Sequence, residues 1–365
     1  MAKIIYALAG EGLGHATRSI VMIKELSKTH DIKIVCGGRA YEFLSKSFKE
    51  DKKLMKLKNN IVKIESLRFK LKNNEIQNIK TGIYNIFRAH KHIKSLKIIN
   101  KLFDKFKPNL VITDFEPWTS RIAKSRKIPI ISIDNEHLIR NTKVKNCNSW
   151  IKKLLSYVFV KLIVPKANYY FITSFFYPKI KKKYQKNTTF LPIIIRDEIK
   201  KLRPKYKKNL VLVYNSPQVN HKLIEILQSI NINKKFIVYD ININKNVKNI
   251  QFKTHKEKEF FKDLADCEAV ITTAGLSLIS EAIYLKKPLY VHPVSHFEQI
   301  MNAHYLENLG YGINADKYNK ESLEKWFSKL DKYKNMLKKL NNKKLDNDFG
   351  VGIKLINKKI EEVKI

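Results

Sequence analysis

The 365 residues carry 72 Lys and Arg against 33 Asp and Glu, a formal charge of +39, with 44% hydrophobic and 11% aromatic residues. That apolar content excludes a globally disordered chain, and the length suits two domains of roughly 180 residues each better than one oversized core. The charge is uneven: residues 1–200 hold 42 basic and 15 acidic groups, residues 201–365 hold 30 and 18, and no acidic residue lies between Glu136 and Asp197. The asymmetry predicts a partner with a negative surface, met mainly by the first half. Cys36, Cys147 and Cys267 lack metal-ligand spacing and read as free thiols of a reducing compartment. The apolar stretch Ile4–Ala9 is too short for a signal peptide, and the longest apolar run, Leu154–Val164, is broken by Lys161. It falls short of the ~20 residues a spanning helix needs, so a soluble or peripheral cytoplasmic protein is expected.

In chain order, a β-branched strand at Lys3–Ala9 leads into the glycine turn Gly10–Gly14. A helical stripe of Ala16, Ile20, Ile23 and Leu26 follows, and then a buried strand at Ile32–Cys36. Further strands are predicted at Ile61–Leu67, Leu110–Thr113, Pro129–Ile133, Tyr169–Thr173 and Thr188–Leu191. The basic segment Arg196–Lys208 reads as a linker between domains 1–196 and 209–345. The second domain repeats the rhythm with strands at Leu210–Tyr214, Lys235–Tyr239, Ile250–Phe252, Ala269–Thr273 and Leu289–Val291. Residues 346–365 read as a terminal helix that could return to the first domain. Strands alternating with helices imply an α/β protein with parallel sheets wrapped by helices.

Two glycine turns stand where ligands bind in such folds. The first, Gly10-Glu-Gly12-Leu-Gly14-His15-Ala-Thr-Arg18-Ser19, allows positive φ and close backbone approach at the carboxyl end of a strand. His15 falls in the first helical turn, where the dipole disfavours imidazolium, so a neutral ring able to accept a proton is expected. The second is Thr272-Thr273-Ala-Gly275-Leu-Ser277, where a helix starts with free N–H groups suited to a diphosphate. Glu281 lies two turns into that helix, where a carboxylate could grip a ribose diol. Taken singly, each has a plainer reading: a turn with an incidental His, or a solvated glutamate. Asp114 at a strand end either orients His15 or caps a loop, and both readings stay open. Asp134, Asn135, Glu136 and His137 follow another strand and are expected to line the same crevice, with Arg18, as acceptor-side candidates. Asn215-Ser216 follows the first strand of the second domain and is expected beside the nucleotide.

The order strand–Gly275–helix–Glu281, then Pro288 and Pro293, then Glu298-Gln299 and Asn302-Ala303, resembles the donor site of GT-B glycosyltransferases. The plant and animal UDP-glycosyltransferases and the bacterial peptidoglycan N-acetylglucosaminyltransferase share it. With the N-terminal motif, the chain looks most like an archaeal and bacterial glycosyltransferase-like group within that fold. Val111–Phe115, Ile131–His137 and Pro192–Arg196 extend the resemblance over most of the chain. It implies two Rossmann-like domains with sheets facing each other across a cleft. The donor-side residues would be Gly12, Gly14, Thr273, Gly275, Ser277, Glu281, Glu298, Gln299 and Asn302. His15 would be the base, no metal or cofactor would be needed, and a nucleotide sugar, usually UDP-linked, would be the co-substrate. One departure is that many relatives place a phosphate-contacting His where this chain has Thr273. A nucleotide-sugar hydrolase using the same His on water is an alternative.

The acid-free stretch supplies a third feature. Ile151, Leu154, Leu155, Val158, Phe159, Leu162 and Ile163 repeat at helical spacing beside Trp150, Lys152, Lys153 and Lys161. Lys181, Lys182 and Lys183 lie downstream. Such a stripe reads either as an interfacial helix with basic flanks on an anionic membrane, near a lipid-linked acceptor, or as a buried helix face. Nucleic acid is the weaker alternative partner, because Lys greatly exceeds Arg and no nucleic-acid module appears.

Overall fold

The computed structural model describes residues 1–52, 54–68, 71–72, 75–76, 78–144, 150–214, 220–239, 247–254, 256–294 and 297–363. Asn215-Ser216 and Cys147 lie outside the described residues. The chain divides into two compact units, Met1–Lys70 with Gln77–Ile194 and Lys344–Ile365, and Leu71–Ile76 with Ile195–Lys343.

The first strands are β1 (Lys3–Leu8), β2 (Asp31–Cys36), β3 (Ile61–Lys63), β4 (Leu71–Lys72) and β5 (Glu75–Ile76). Next come β6 (Leu110–Asp114), β7 (Ile130–Asp134), β8 (Tyr169–Thr173), β9 (Thr188–Leu191) and β10 (Leu210–Tyr214). The last are β11 (Lys235–Tyr239), β12 (Ile250–Lys253), β13 (Ala269–Thr272), β14 (Leu289–Val291) and β15 (Gly312–Asn314). The first unit holds a seven-stranded parallel sheet in the order β3-β2-β1-β6-β7-β8-β9. The second holds a six-stranded parallel sheet, β12-β11-β10-β13-β14-β15, and β4 pairs antiparallel with β5.

Central strands of such sheets are covered on both faces, which is why they read as unbroken apolar runs. Along β1, alternate residues serve opposite cores. Ile4, Tyr6 and Leu8 face the helices Leu13–Leu26, Gly38–Glu50 and Asn342–Val363, which contribute Met22, Leu44 and Ile356 among others. Ile5 and Ala7 face the helices Ala89–Phe106 and Pro117–Ser125 through Ile99, Phe103 and Ile122. Glu116 explains where the last of these begins: its carboxylate accepts from the N–H groups of Trp118 and Thr119, with Pro117 at the first helical position. In the second unit Val211, Val213 and Phe236 meet Leu227, Leu323 and Trp326.

The register positions the chemistry. Leu8 of β1 pairs with Asp114 of β6, so the Gly10–Gly14 turn opens beside the Asp114 carboxylate. Thr272 of β13 pairs with Val291 of β14, so Thr273 and His292 leave adjacent strand ends.

The basic segment after Ile195 docks on the second unit: the Lys205 N–H donates to Asp266 Oδ1 and the Lys207 N–H to the Asp266 carbonyl. The Asn342–Val363 helix buries Ile356 and Ile360 in the core beneath β1, and Asn357 bonds His30. β15 has no counterpart among the predicted strands, since Gly-Ile-Asn offers one apolar residue. Its glycine is required, because a Cβ on Gly312 would lie 1.8 Å from the Leu289 carbonyl oxygen. Cys36 and Cys267 are free and buried, and burial pushes both thiols up to about 12.

Candidate active site

Gly12, with φ of 76°, is the N-cap residue of the Leu13–Leu26 helix, a left-handed conformation that favours glycine. The helix then carries His15, Arg18 and Ser19, at i, i+3 and i+4, on one face toward the end of β6. There Asp114 is fully buried. It receives Arg18 Nε at 2.8 Å, Arg18 Nη2 at 2.5 Å and Ser19 Oγ at 3.0 Å, and its Oδ1 lies 2.8 Å from His15 Nδ1. Of the two readings open for Asp114, the geometry gives the one in which it meets His15. Glu136 approaches from the loop after β7, with Oε1 3.6 Å from His15 Nε2 and Oε2 3.3 Å from Arg18 Nη2.

Arg18 Nη2 also lies 2.8 Å from His15 Nδ1, and that nitrogen cannot both accept from Arg18 and donate to Asp114. The Arg18 guanidinium beside Asp114, with His15, holds this carboxyl well below the usual carboxylate range despite burial. An ionised Asp114 selects the tautomer with the proton on Nδ1 and leaves Nε2 bare. Burial pulls the His15 pKa down and Arg18 adds to that, but Asp114 and Glu136 together outweigh them, so the net shift is upward from 6.5.

Phe115 follows Asp114 with φ of 60°, in the left-handed region that a bulky residue occupies only at a cost. Its ring lies 6.5 Å from His15 and 5.9 Å from Phe159, between the base and the Trp150–Ile163 helix.

His15, Asp114 and Glu136 place one ligand atom each within 4.8 Å of one another, a grouping that spacing in the sequence did not display. The Arg18 guanidinium bonds Asp114 and reaches Glu136 from within this grouping.

The acceptor-side candidates separate. Arg18 and Glu136 join the His15 cluster. Asp134 and His137, expected to line the crevice, are buried and bond each other at 2.6 Å, with Ser132 Oγ 2.5 Å from Asp134. Asn135 is likewise fully buried. The Asp–His pair three residues apart bonds through Nδ1 at the start of a short helix, while the buried His137 Nε2 has no hydrogen-bond partner among the described residues.

In the second unit Gly275 precedes the Leu276–Tyr284 helix with φ of −69°, and a Cβ built there meets nothing within 4 Å. Neither backbone angle nor internal packing asks for glycine at this point, so the open space over the helix N-terminus is what a side chain would obstruct. Asn302, expected to touch donor, is fully buried and instead donates to the Ala274 carbonyl at 3.0 Å and to Glu298 Oε1 at 2.7 Å. It thereby pins the glycine loop. Gln299 accepts from the Val294 N–H. Glu281 is buried rather than solvated, and its Oε1 accepts from Arg196 Nε at 2.7 Å. Burial raises its pKa, and Arg196 offsets that only in part. Arg196 also reaches Glu257 at 2.8 Å and stacks over Phe261. It was read as the start of a basic linker and the end of the Pro192–Arg196 segment of the resemblance, with no partner assigned, because a charge run shows none. His292, at the strand end beside the Thr273 loop, donates from Nδ1 to the Ala315 carbonyl.

The basic-stretch candidates divide too. Trp150, Lys161, Lys182 and Lys183 are exposed and Lys152 is half-buried. Lys153 donates to the Val144 carbonyl and Lys181 to that of Arg140, so these two ammonium groups hold the chain together. Phe159 is half-buried against Phe115.

Residues 2–331 match the family model described as glycosyl transferase family 1. An uncharacterized glycosyltransferase of Methanosarcina acetivorans is 25% identical over 342 residues, 85% of this chain and 84% of its own. The UDP-N-acetylglucosamine–N-acetylmuramyl-(pentapeptide) pyrophosphoryl-undecaprenol N-acetylglucosamine transferase 2 of Bacillus cereus is 38% identical over 90 residues, 22% of this chain and 26% of its own. The crystal structure of the glycotransferase of kitacinnamycin aligns with a TM-score of 0.68 at 14% identity, covering 97% of this chain and 98% of that one.

Proposed function

Because the chain belongs to glycosyl transferase family 1 and has the GT-B fold, we propose that it moves a hexosyl group from a nucleotide diphosphate sugar, with UDP as carrier, to an acceptor hydroxyl. The transfer inverts the anomeric centre and needs no metal. The observation that carries the reading is the 2.8 Å pairing of His15 Nδ1 with a buried Asp114, which leaves Nε2 as the base. In the step, Nε2 takes the acceptor proton while the hydroxyl oxygen forms a bond to the anomeric carbon. The bond from that carbon to the diphosphate oxygen breaks on the opposite face. Asp114 and Glu136 flank the imidazolium that results, following triad logic.

On the donor side, Thr273, Gly275 and Ser277 surround the helix terminus where the departing diphosphate would gain its stabilisation. Glu281, oriented by Arg196 through Oε1, keeps Oε2 for the ribose hydroxyls. Glu298 and Gln299 are the candidates for the sugar, and Gly12 and Gly14 leave room for it near His15. Arg18 supports the metal-independent reading, since its guanidinium already pairs with Asp114 and reaches Glu136.

The test is nucleoside diphosphate release from a panel of nucleotide sugars, with wild type beside His15→Ala and Glu281→Ala. Acceptor-dependent release lost in both variants supports transfer. Equally fast release into water alone would instead make the protein a hydrolase using the same His15.

A further inference from the structure

We propose that the Trp150–Ile163 helix is an interfacial anchor that lies in the surface of an anionic membrane and presents the His15 site to acceptors held in that membrane. The acceptor half of the statement rests on the transferase reading above, whereas the anchoring half stands on the surface itself.

Trp150, Ile151, Leu154, Leu155, Val158 and Leu162 are each between 43% and 73% exposed. At 3.6 residues per turn their positions fall within about 140° of the helix circumference, a single face. Val160, the buried residue of this helix, lies on the opposite side and fastens it to the body of the unit. A contiguous apolar face of this size on a monomer marks an interaction surface. A second group follows on the same side of the sheet. Ile83, Ile86, Phe87 and Ile93 are also exposed, on the helices Asn78–Phe87 and Ala89–Phe106. The latter packs beside Pro117–Ser125, whose Arg121 in turn bonds the Leu162 carbonyl.

Charge selects the occupant. Residues 137–196 contain thirteen Lys and Arg and no acid, and Lys161, Lys166, Lys182 and Lys183 around the face are exposed. A second copy of the chain would bring the same basic span against itself at a net +39, so self-association is opposed. An anionic lipid surface attracts the lysines and accepts the apolar side chains together. Fourteen residues reach only about 21 Å, short of a bilayer core, and among the described residues no helix is long and apolar enough to cross a membrane. The helix therefore lies in the interface rather than spanning it.

The link to chemistry is short. Phe159 on the flank of this helix touches Phe115, and Phe115 lies against His15. An anchored helix thus sets the base at the membrane surface, where a hydroxyl on a lipid-borne acceptor meets it without leaving the bilayer.

The experiment is flotation of the full chain with vesicles of phosphatidylcholine alone and with 30% phosphatidylglycerol, beside Leu154→Ser/Leu155→Ser/Leu162→Ser. Wild type is expected to float with the anionic vesicles and the triple variant to float at least tenfold less. Thermal unfolding of the two should agree, because the replaced side chains are exposed. A Lys161→Glu/Lys182→Glu variant should show the same loss with the apolar face intact. Wild type remaining in the aqueous fraction with both vesicle types overturns the anchor. So does light scattering that shows a dimer broken by the triple variant. Nucleoside diphosphate release with a water-soluble acceptor reads the transferase proposal separately: its survival with failed flotation sinks only the anchor.

Discussion

The half-buried Arg196 and the buried Glu281 form an ion pair, with Nε and Nη2 both 2.7 Å from the same carboxylate oxygen. The two residues are 85 apart in sequence, and the arginine was part of what composition alone made a basic linker.

Removing Arg196 leaves a buried carboxylate without its cation. Arg196→Ala is expected to cost roughly 3 kcal/mol at neutral pH, read by urea unfolding. The Glu281 pKa is already raised by burial, and losing Arg196 raises it further. A folded-state pKa above the unfolded one contributes stability that is present at low pH and fades as pH rises through it. The deficit should therefore shrink on acidification and largely disappear in Arg196→Ala/Glu281→Gln. A deficit constant from pH 5 to 8 would contradict this account.

The raised His15 pKa fixes the direction of the pH profile. Below it the ring is imidazolium and cannot take a proton, so kcat/KM should climb with pH along a limb centred above 6.5. Glu136 is one of the groups pushing that pKa up, so Glu136→Gln should move the limb to lower pH. An unmoved or upward-moving limb would show that Glu136 does not act on His15. His15→Ala should lower kcat by roughly 10²- to 10⁴-fold.

Gly275 separates a structural from a ligand-directed role. Its φ of −69° suits any L-residue and an added Cβ meets nothing within 4 Å. Gly275→Ala should leave the melting temperature unchanged or raise stability by about 0.4–1 kcal/mol. The KM for the nucleotide sugar should nonetheless rise severalfold. A stable variant with unaltered KM would remove the diphosphate from this loop.

Transfer should persist undiminished in millimolar EDTA, because Arg18 already bonds Asp114 and reaches Glu136. Loss of activity restored by a divalent ion would show that the His15, Asp114 and Glu136 grouping holds a metal after all.

The strands were legible because buried parallel strands must be apolar through their length, and the glycine turns because backbone approach leaves a residue-type mark. β15 was not, since a three-residue edge strand fixed by a close approach at Gly312 has little apolar content. The site was half legible. His15, Gly12 and Gly275 announce themselves by position. Asp134, Asn135, His137 and Asn302 match the motif in type, yet whether such a group faces a ligand or a neighbour depends on burial. Spacing carries no trace of that. The exposed helix is the opposite case: its stripe alone fitted a core or a surface, and the solvent exposure of Leu154, Leu155 and Leu162 removes the core reading.

The core beneath β1 is closed by Ile356 and Ile360, from a helix that follows the whole of the second unit in the chain. During synthesis, residues 1–194 therefore emerge and wait while about 150 more are made before that face of their sheet is covered. In the interval, an apolar surface flanked by Lys-rich segments stands open on the ribosome, itself a strongly anionic particle. Trimming the last two turns of the helix should damage the folding yield of the first unit more than that of the second, although the second adjoins it in sequence.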